Sequence, residues 1–116
     1  MPVTTPYVFI VSMDVTPDKE ALFNEVYDQE HVPLLLKVPG VRAVTRMRTE
    51  PARFTLGGQT KNLTGEGAPR YVAIYEIDSP DVITSAAWAE ATEQGRWPAE
   101  VRPYTSNRHH IVRAVV

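Results

Sequence analysis

Three histidines are the side chains in this sequence that titrate near neutrality unaided, so proton-transfer chemistry starts from them. His31 lies in the stretch Tyr27-Asp-Gln-Glu-His-Val-Pro-Leu-Leu-Leu-Lys-Val-Pro-Gly40. A neutral imidazole there serves as a general acid or base near pH 7. It serves equally as a helix-terminal group that bonds free carbonyls at the negative end of the helix dipole. Its neighbour Glu30 either orients the ring, competes with it, or is solvated. Tyr27, one helical turn earlier, offers a phenol to the same surroundings. His109 and His110 are adjacent, and on a strand they point to opposite faces, so one of them at most joins a given pocket. Whichever faces the helices completes a polar cluster with His31. Glu76 stands between Tyr75 and Ile77 in an apolar run, where a buried carboxylate needs a partner. Arg46 or Arg48 is the expected one. The pair is then a structural ion pair on a dimer-facing surface, or a pocket pair that binds a carboxylate or enolate or orients His31. Tyr75, Trp88 and Trp97 are core and rim aromatics. Tyr75 and Trp88 join Tyr27, Glu30 and Arg46 as candidate ligand contacts.

The elements that must hold these groups follow from the pattern. Tyr7 to Asp14 is a β-branched and aromatic run, apolar on both faces, and predicts a central strand. Thr16-Pro17-Asp18 opens a helix, whose stripe Leu22, Phe23, Val26 and Tyr27 extends to Glu30 and His31. Pro33 should end or kink that helix near His31. Leu34 to Val38 makes a further short turn, stopped by Pro39-Gly40. Val41 to Thr49 alternates, with Val41, Ala43, Thr45 and Met47 opposite Arg42, Val44, Arg46 and Arg48. Glu50 to Pro69, rich in glycine, is a long excursion, either an extended hairpin around Phe54 to Leu56 or a mobile loop. Tyr71 to Ile77 is a third strand. Ser79-Pro80-Asp81 opens a second helix carrying Val82, Ile83, Ala86, Ala87 and Ala91 and ending by Gly95. Trp97-Pro98 begins an irregular connection, and Arg108 to Val116 is the last strand.

The order β-α-β-β-α-β predicts a single ferredoxin-like α+β domain over residues 1–116, a four-stranded antiparallel sheet with two helices on one face. Two helices cover one face only, yet Val8 and Ile10 lie opposite Tyr7, Phe9, Val11 and Met13. The uncovered apolar face predicts a homodimer formed sheet to sheet.

Composition narrows the functions. The 116 residues are 43% hydrophobic and 22% charged, with a net charge of −2 and no cysteine. Disulfides, thiolate nucleophiles and cysteine-ligated metals are therefore excluded. The charge gives no general pull toward nucleic acid or an anionic membrane. No apolar run reaches a membrane span and no secretion signal is seen, so a cytoplasmic protein is expected, with the sequon at Asn62 a chance match. A nucleophile elbow, a phosphate-binding loop and the aromatic-basic signature of RNA-recognition motifs are absent. The histidines show no metal-ligand spacing, so no metal is expected.

The segment Glu30-His31-Val-Pro33-Leu34, followed by Val38-Pro39-Gly40-Val41, resembles the EthD-like branch of the dimeric α/β barrel superfamily. Arg70 to Asp78, followed by Ser79-Pro80 and a helix with Trp88, is similar to the same group. The resemblance follows the order of elements over roughly the whole chain, and the Glu50–Pro69 excursion has no match in it. It implies a homodimer with a pocket in each subunit and His31 at that pocket. It implies small cofactor-independent enzymes acting on aromatic, polyketide-like or lactone substrates. Haem-binding branches and non-catalytic or stress-related dimers are the alternatives it leaves.

Overall fold

The computed structural model describes residues 2–116. Its strands are Tyr7–Val15 (β1), Val41–Arg48 (β2), Ala52–Leu56 (β3), Gln59–Leu63 (β4), Tyr71–Ile77 (β5) and Thr105–Ala114 (β6). Its α-helical segments are Glu20–Val26 (α1), Val32–Leu36 (α2) and Ala86–Ala91 (α3). β1 is apolar on both faces because it is interior: the main sheet runs β2-β5-β1-β6 with every pair antiparallel. The last strand begins earlier than the pattern suggested, at Thr105, and ends at Ala114.

The helices cover one face. Along β5, Tyr71, Ala73, Tyr75 and Ile77 are buried, while Val72, Ile74 and Glu76 on the other face are half-buried. Phe9, Val11 and Met13 share the covered face and join Phe23, Val26, Leu35, Trp97 and Val101 in one core. The uncovered face carries Val8, Ile10, Val72, Ile74 and Ile111, grouped by the pairings Val8↔Glu76, Ile10↔Ile74 and Ile10↔Ile111. On β2 a register shift between Val41 and Ala43 alters the expected alternation. Val41 opposite Ile77 faces the helices, whereas Ala43, Thr45 and Met47 lie on the open face and Arg46 is on the covered one.

Pro33 does not end the first helix. The chain keeps helical dihedrals from α1 to α2 and widens into a π-turn over Tyr27–His31, closed by Val32 N–H donating to the Tyr27 carbonyl. A wider turn is a natural answer to a proline that lacks a donor and crowds the preceding turn. The second helix is two pieces instead of one. Pro80–Thr84 forms a 3₁₀ turn, Ser85 is extended, and its hydroxyl caps α3 by accepting from Trp88 N–H at 3.1 Å. Gly40 is required where it stands: its φ is +94°, and a Cβ there would meet Val82 Cγ2 at 2.5 Å.

The Glu50–Pro69 excursion is the hairpin, β3 paired with β4 through Gly57-Gly58, both at positive φ. All ten strand residues are exposed. The register puts Ala52, Phe54, Leu56 and Leu63 on one side and Arg53, Thr55, Thr60 and Asn62 on the other. This arm helps raise the radius of gyration to 15.7 Å, against about 13–14 Å for a compact chain of this length.

Candidate functional site

Two π-turns meet over the covered face of the sheet. The first, Tyr27–His31, carries His31; the second, Trp97–Val101, carries Trp97, where the sequence suggested only an irregular connection. The two rings stack with centroids 4.5 Å apart and planes at 23°. Tyr27 meets His31 edge-on at 5.0 Å and Trp97 edge-on at 5.2 Å. Trp97 is held by a clasp 66 residues long in sequence: Glu30 accepts from Arg96 N–H at 2.9 Å and from its Nε at 2.5 Å. Those bonds hold the Glu30 carboxyl below its usual range. Glu30 thus points away from His31 and fixes the segment that carries the stacking partner.

His31 is 5% exposed and its Nδ1 is sealed without a hydrogen-bond partner. Burial, with the Arg102 charge adding to it, lowers its pKa to about 4, so the ring is neutral at pH 7. It lines a cavity of about 160 Å³ together with Phe9, Val11, Met13, Tyr27, Tyr75, Trp88, Thr92, Trp97, Arg102, Arg108 and His110. Tyr27 and Tyr75 share a buried hydrogen bond of 2.5 Å between their hydroxyls. Burial raises both phenols, Tyr27 to about 12, so both stay protonated. One hydroxyl donates to the other, and the acceptor keeps its own proton for a further bond.

The structure brings His31, Tyr27, Tyr75, Trp88 and His110 to this cavity and leaves the other candidates outside it. Register decides the histidine pair: His110 opposite Val11 faces the helices and stacks on Phe9 at 6.0 Å, while His109 opposite Ser12 lies on the open face. His110 is exposed at its outer edge, and its partial desolvation against the covered face is the main reason it titrates below its ordinary value, with the charges of Arg108 and His109 adding to it. Glu76 is on the open face, opposite Val8, where it accepts from Thr4 N–H at 2.9 Å. It pairs with neither Arg46 nor Arg48, because those arginines lie on the covered side of β2. Arg46 backs the Tyr27 ring at 4.6 Å and bonds Asp28 at 2.6 Å and Asn24 at 2.8 Å, behind the cavity wall instead of in it.

Arg102, Arg108, Phe9 and Thr92 are cavity residues that the motifs did not single out, and Trp97, expected in the core or at the rim, lines the cavity with them. Arg102 is anchored to Glu93 at 3.0 Å and to the Thr92 carbonyl at 2.9 Å. Arg108, two residues before His110, reaches the cavity by strand alternation, next to a bulge in β6 where Asn107 takes φ 51° and bonds Asp14 at 3.1 Å. Among the described residues no group of three or more histidine, aspartate or glutamate side chains is placed to hold a metal ion.

Solved structures with this architecture are known. The haem degrader MhuD from Mycobacterium tuberculosis, solved with two haems in its active site, superposes at TM-score 0.62 and 16% identity, covering 96% of each chain. The chain has a ferredoxin-like α+β fold. SnoaB from Streptomyces nogalater, a cofactor-independent oxygenase, matches at TM-score 0.59 and 14% identity over 94% of this chain and 91% of its own. An EthD family protein from Bacillus halodurans matches at 0.56 and 14% over 95% and 99%. No family model and no curated protein matches the sequence. At these identities the likeness carries the fold, and chemistry has to be read from the cavity. No helix among the described residues is long and apolar enough to cross a membrane.

Proposed function

We propose that this chain is a homodimeric small-molecule pocket protein. It acts as a cofactor-independent enzyme in which His31 removes and returns a proton on a compact aromatic or lactone-like substrate. The observation that carries this reading is a buried, neutral, unpartnered imidazole in the wall of a cavity lined with aromatic rings. A cavity of about 160 Å³ is near the size of one that takes benzene, about 150 Å³, so a single ring is the fitting body. The homodimer follows from the open face of the sheet, whose row of Val8, Ile10, Val72, Ile74 and Ile111 a second copy would cover.

An imidazole with a pKa of about 4 is a weak base toward water-like donors. It takes a proton from an acidic phenol, enol or activated C–H group, because the substrate anion formed beside it offsets the burial that lowered its pKa. The broken O–H or C–H bond leaves its electron pair on the substrate. The free proton of the Tyr27–Tyr75 pair donates to the resulting oxyanion.

The same walls bear on haem. A neutral ring nitrogen without a partner suits iron chemically, but the cavity is well below the roughly 300–1,000 Å³ that drug-sized ligands occupy. The space is smaller than a tetrapyrrole.

The test is solvent-deuterium exchange into a panel of hydroxyaromatic and lactone compounds, followed by NMR, for the wild type and His31→Gln. Exchange catalysed by the wild type and lost in the variant is the expected result. A compound that binds but exchanges at the same rate with and without His31 would assign the pocket to ligand holding instead of catalysis.

A further inference from the structure

The cavity has a charge bias as well as a size. Its walls hold two arginines and two histidines and no carboxylate. Arg102 is already committed to Glu93 and the Thr92 carbonyl. Arg108 is different: it belongs to none of the ion pairs found among the described residues, although Arg42, Arg46, Arg48, Arg70, Arg96 and Arg102 all do. Its charge is also one of the influences that lower His110. A guanidinium presents a planar fork of donors that matches a carboxylate in a bidentate pair. Here it stands at the edge of a one-ring aromatic cavity, with the Phe9–His110 stack and Trp88 beside it.

Strand alternation gives this placement a structural cause: Arg108 and His110, two apart on β6, both line the cavity while His109 turns to the open face and meets Asn107 Oδ1 at 3.3 Å. Next to Arg108 the strand bulges, with two residues, Asn107 and Arg108, between Ser106 and His109 against the single Met13 between Asp14 and Ser12.

We propose that the ligand is a planar aromatic monoanion of one ring, an aryl carboxylate or its vinylogous equivalent, whose negative group pairs with Arg108 and whose ring lies against the aromatic walls near His31. This deepens the pocket reading and rests on it. A carboxylate fixed at Arg108 would turn the opposite edge of the ring, where an acidic hydroxyl or C–H belongs, toward His31. The cationic walls thus select and orient the ligand while the imidazole handles the proton.

The probes are benzoate and benzamide, of nearly equal shape and unequal charge, titrated by calorimetry and tryptophan fluorescence into the wild type, Arg108→Gln and Arg113→Gln. Arg113 is a second arginine without an ion pair, opposite Val8 on the open face, and controls for net charge. The expected result is benzoate binding about tenfold or more tighter than benzamide. That preference disappears in Arg108→Gln, with benzamide affinity unchanged, and persists in Arg113→Gln. Equal affinity of the two probes for the wild type, or equal loss of preference in both variants, overturns the anion assignment and leaves the pocket reading standing. Failure of both probes to bind the wild type refutes the one-ring pocket itself.

Discussion

The two faces of one sheet are built from alternate residues of the same strands, and they differ in almost every chemical respect. On the covered face Tyr75 is 1% exposed and hydrogen-bonded to another buried phenol. One residue later, on the open face, Glu76 accepts hydrogen bonds from Thr4 near the surface. His110 joins an aromatic stack while His109 bonds a turn-forming asparagine at the surface. The difference shows that the site is made by the helix layer laid over the sheet. The strands supply candidates to both sides, and only the side roofed by two π-turns acquires the burial that changes a pKa.

The sharpest way to break this contrast is to remove the roof. Trp97→Ala should cost about 3–5 kcal/mol in denaturant unfolding, since a buried aromatic and its stack on His31 are lost together. A loss below about 1 kcal/mol would mean that the second π-turn does not hold the site.

Acid should act next. The folded pKa of His31, about 4, lies below the ordinary value of 6.5, so the unfolded chain takes up this proton first as pH falls. The stability owed to the neutral ring is complete above pH 6.5 and drains away toward pH 4, by about 3 kcal/mol. Comparing unfolding at pH 7 and pH 4.5 isolates it, because His31→Gln should lack that part of the acid loss. Equal acid sensitivity of the two proteins would contradict a neutral buried imidazole.

The smallest effect on the fold belongs to the open face. Ile74→Lys should leave the far-ultraviolet spectrum unchanged and the melting temperature of the isolated subunit within a few degrees. Sedimentation should nevertheless fall from dimer to monomer, because the lysine puts an unpaired charge into the apolar row that would face its own copy across a two-fold axis. A variant that stays dimeric places the subunit contact elsewhere.

Much of the fold was legible because it depends on period and punctuation. The β-branched and aromatic run of Tyr7 to Asp14 and the helix stripe through Tyr27 and His31 are local signals, and each produced its element, while the glycine-rich excursion was legible only as a hairpin or a loop. The separation of His109 from His110 was also legible, as a rule of strand geometry. The side each one takes was not, because a single bulge or register shift exchanges faces. The expected Glu76–Arg46 pair failed for that reason: Arg46 pairs opposite Ala73, on the other side of the sheet from Glu76. Arg108 shares the face of His110 by the same alternation, so its side stayed open with that of the histidine. Trp97 depends on the distant clasp between Glu30 and Arg96, which leaves no periodic trace in the sequence.

The π-turn at Tyr27–His31 has a consequence for how this chain tolerates insertions and deletions. A π-turn amounts to one surplus residue spliced into an α-helix. Removing a residue such as Gln29 would let the helix relax to uniform winding with no break in the chain and little change in composition. The surplus residue is absorbed within the one wide turn, so the helical segments on either side would keep nearly the same phase. Tyr27 and His31 would stand three apart in place of four, still on one face, but with the imidazole displaced around the helix by part of a turn from its stack on Trp97. The fine aim of His31 is stored as a residue count, a setting that substitutions leave in place and a single-codon deletion alters.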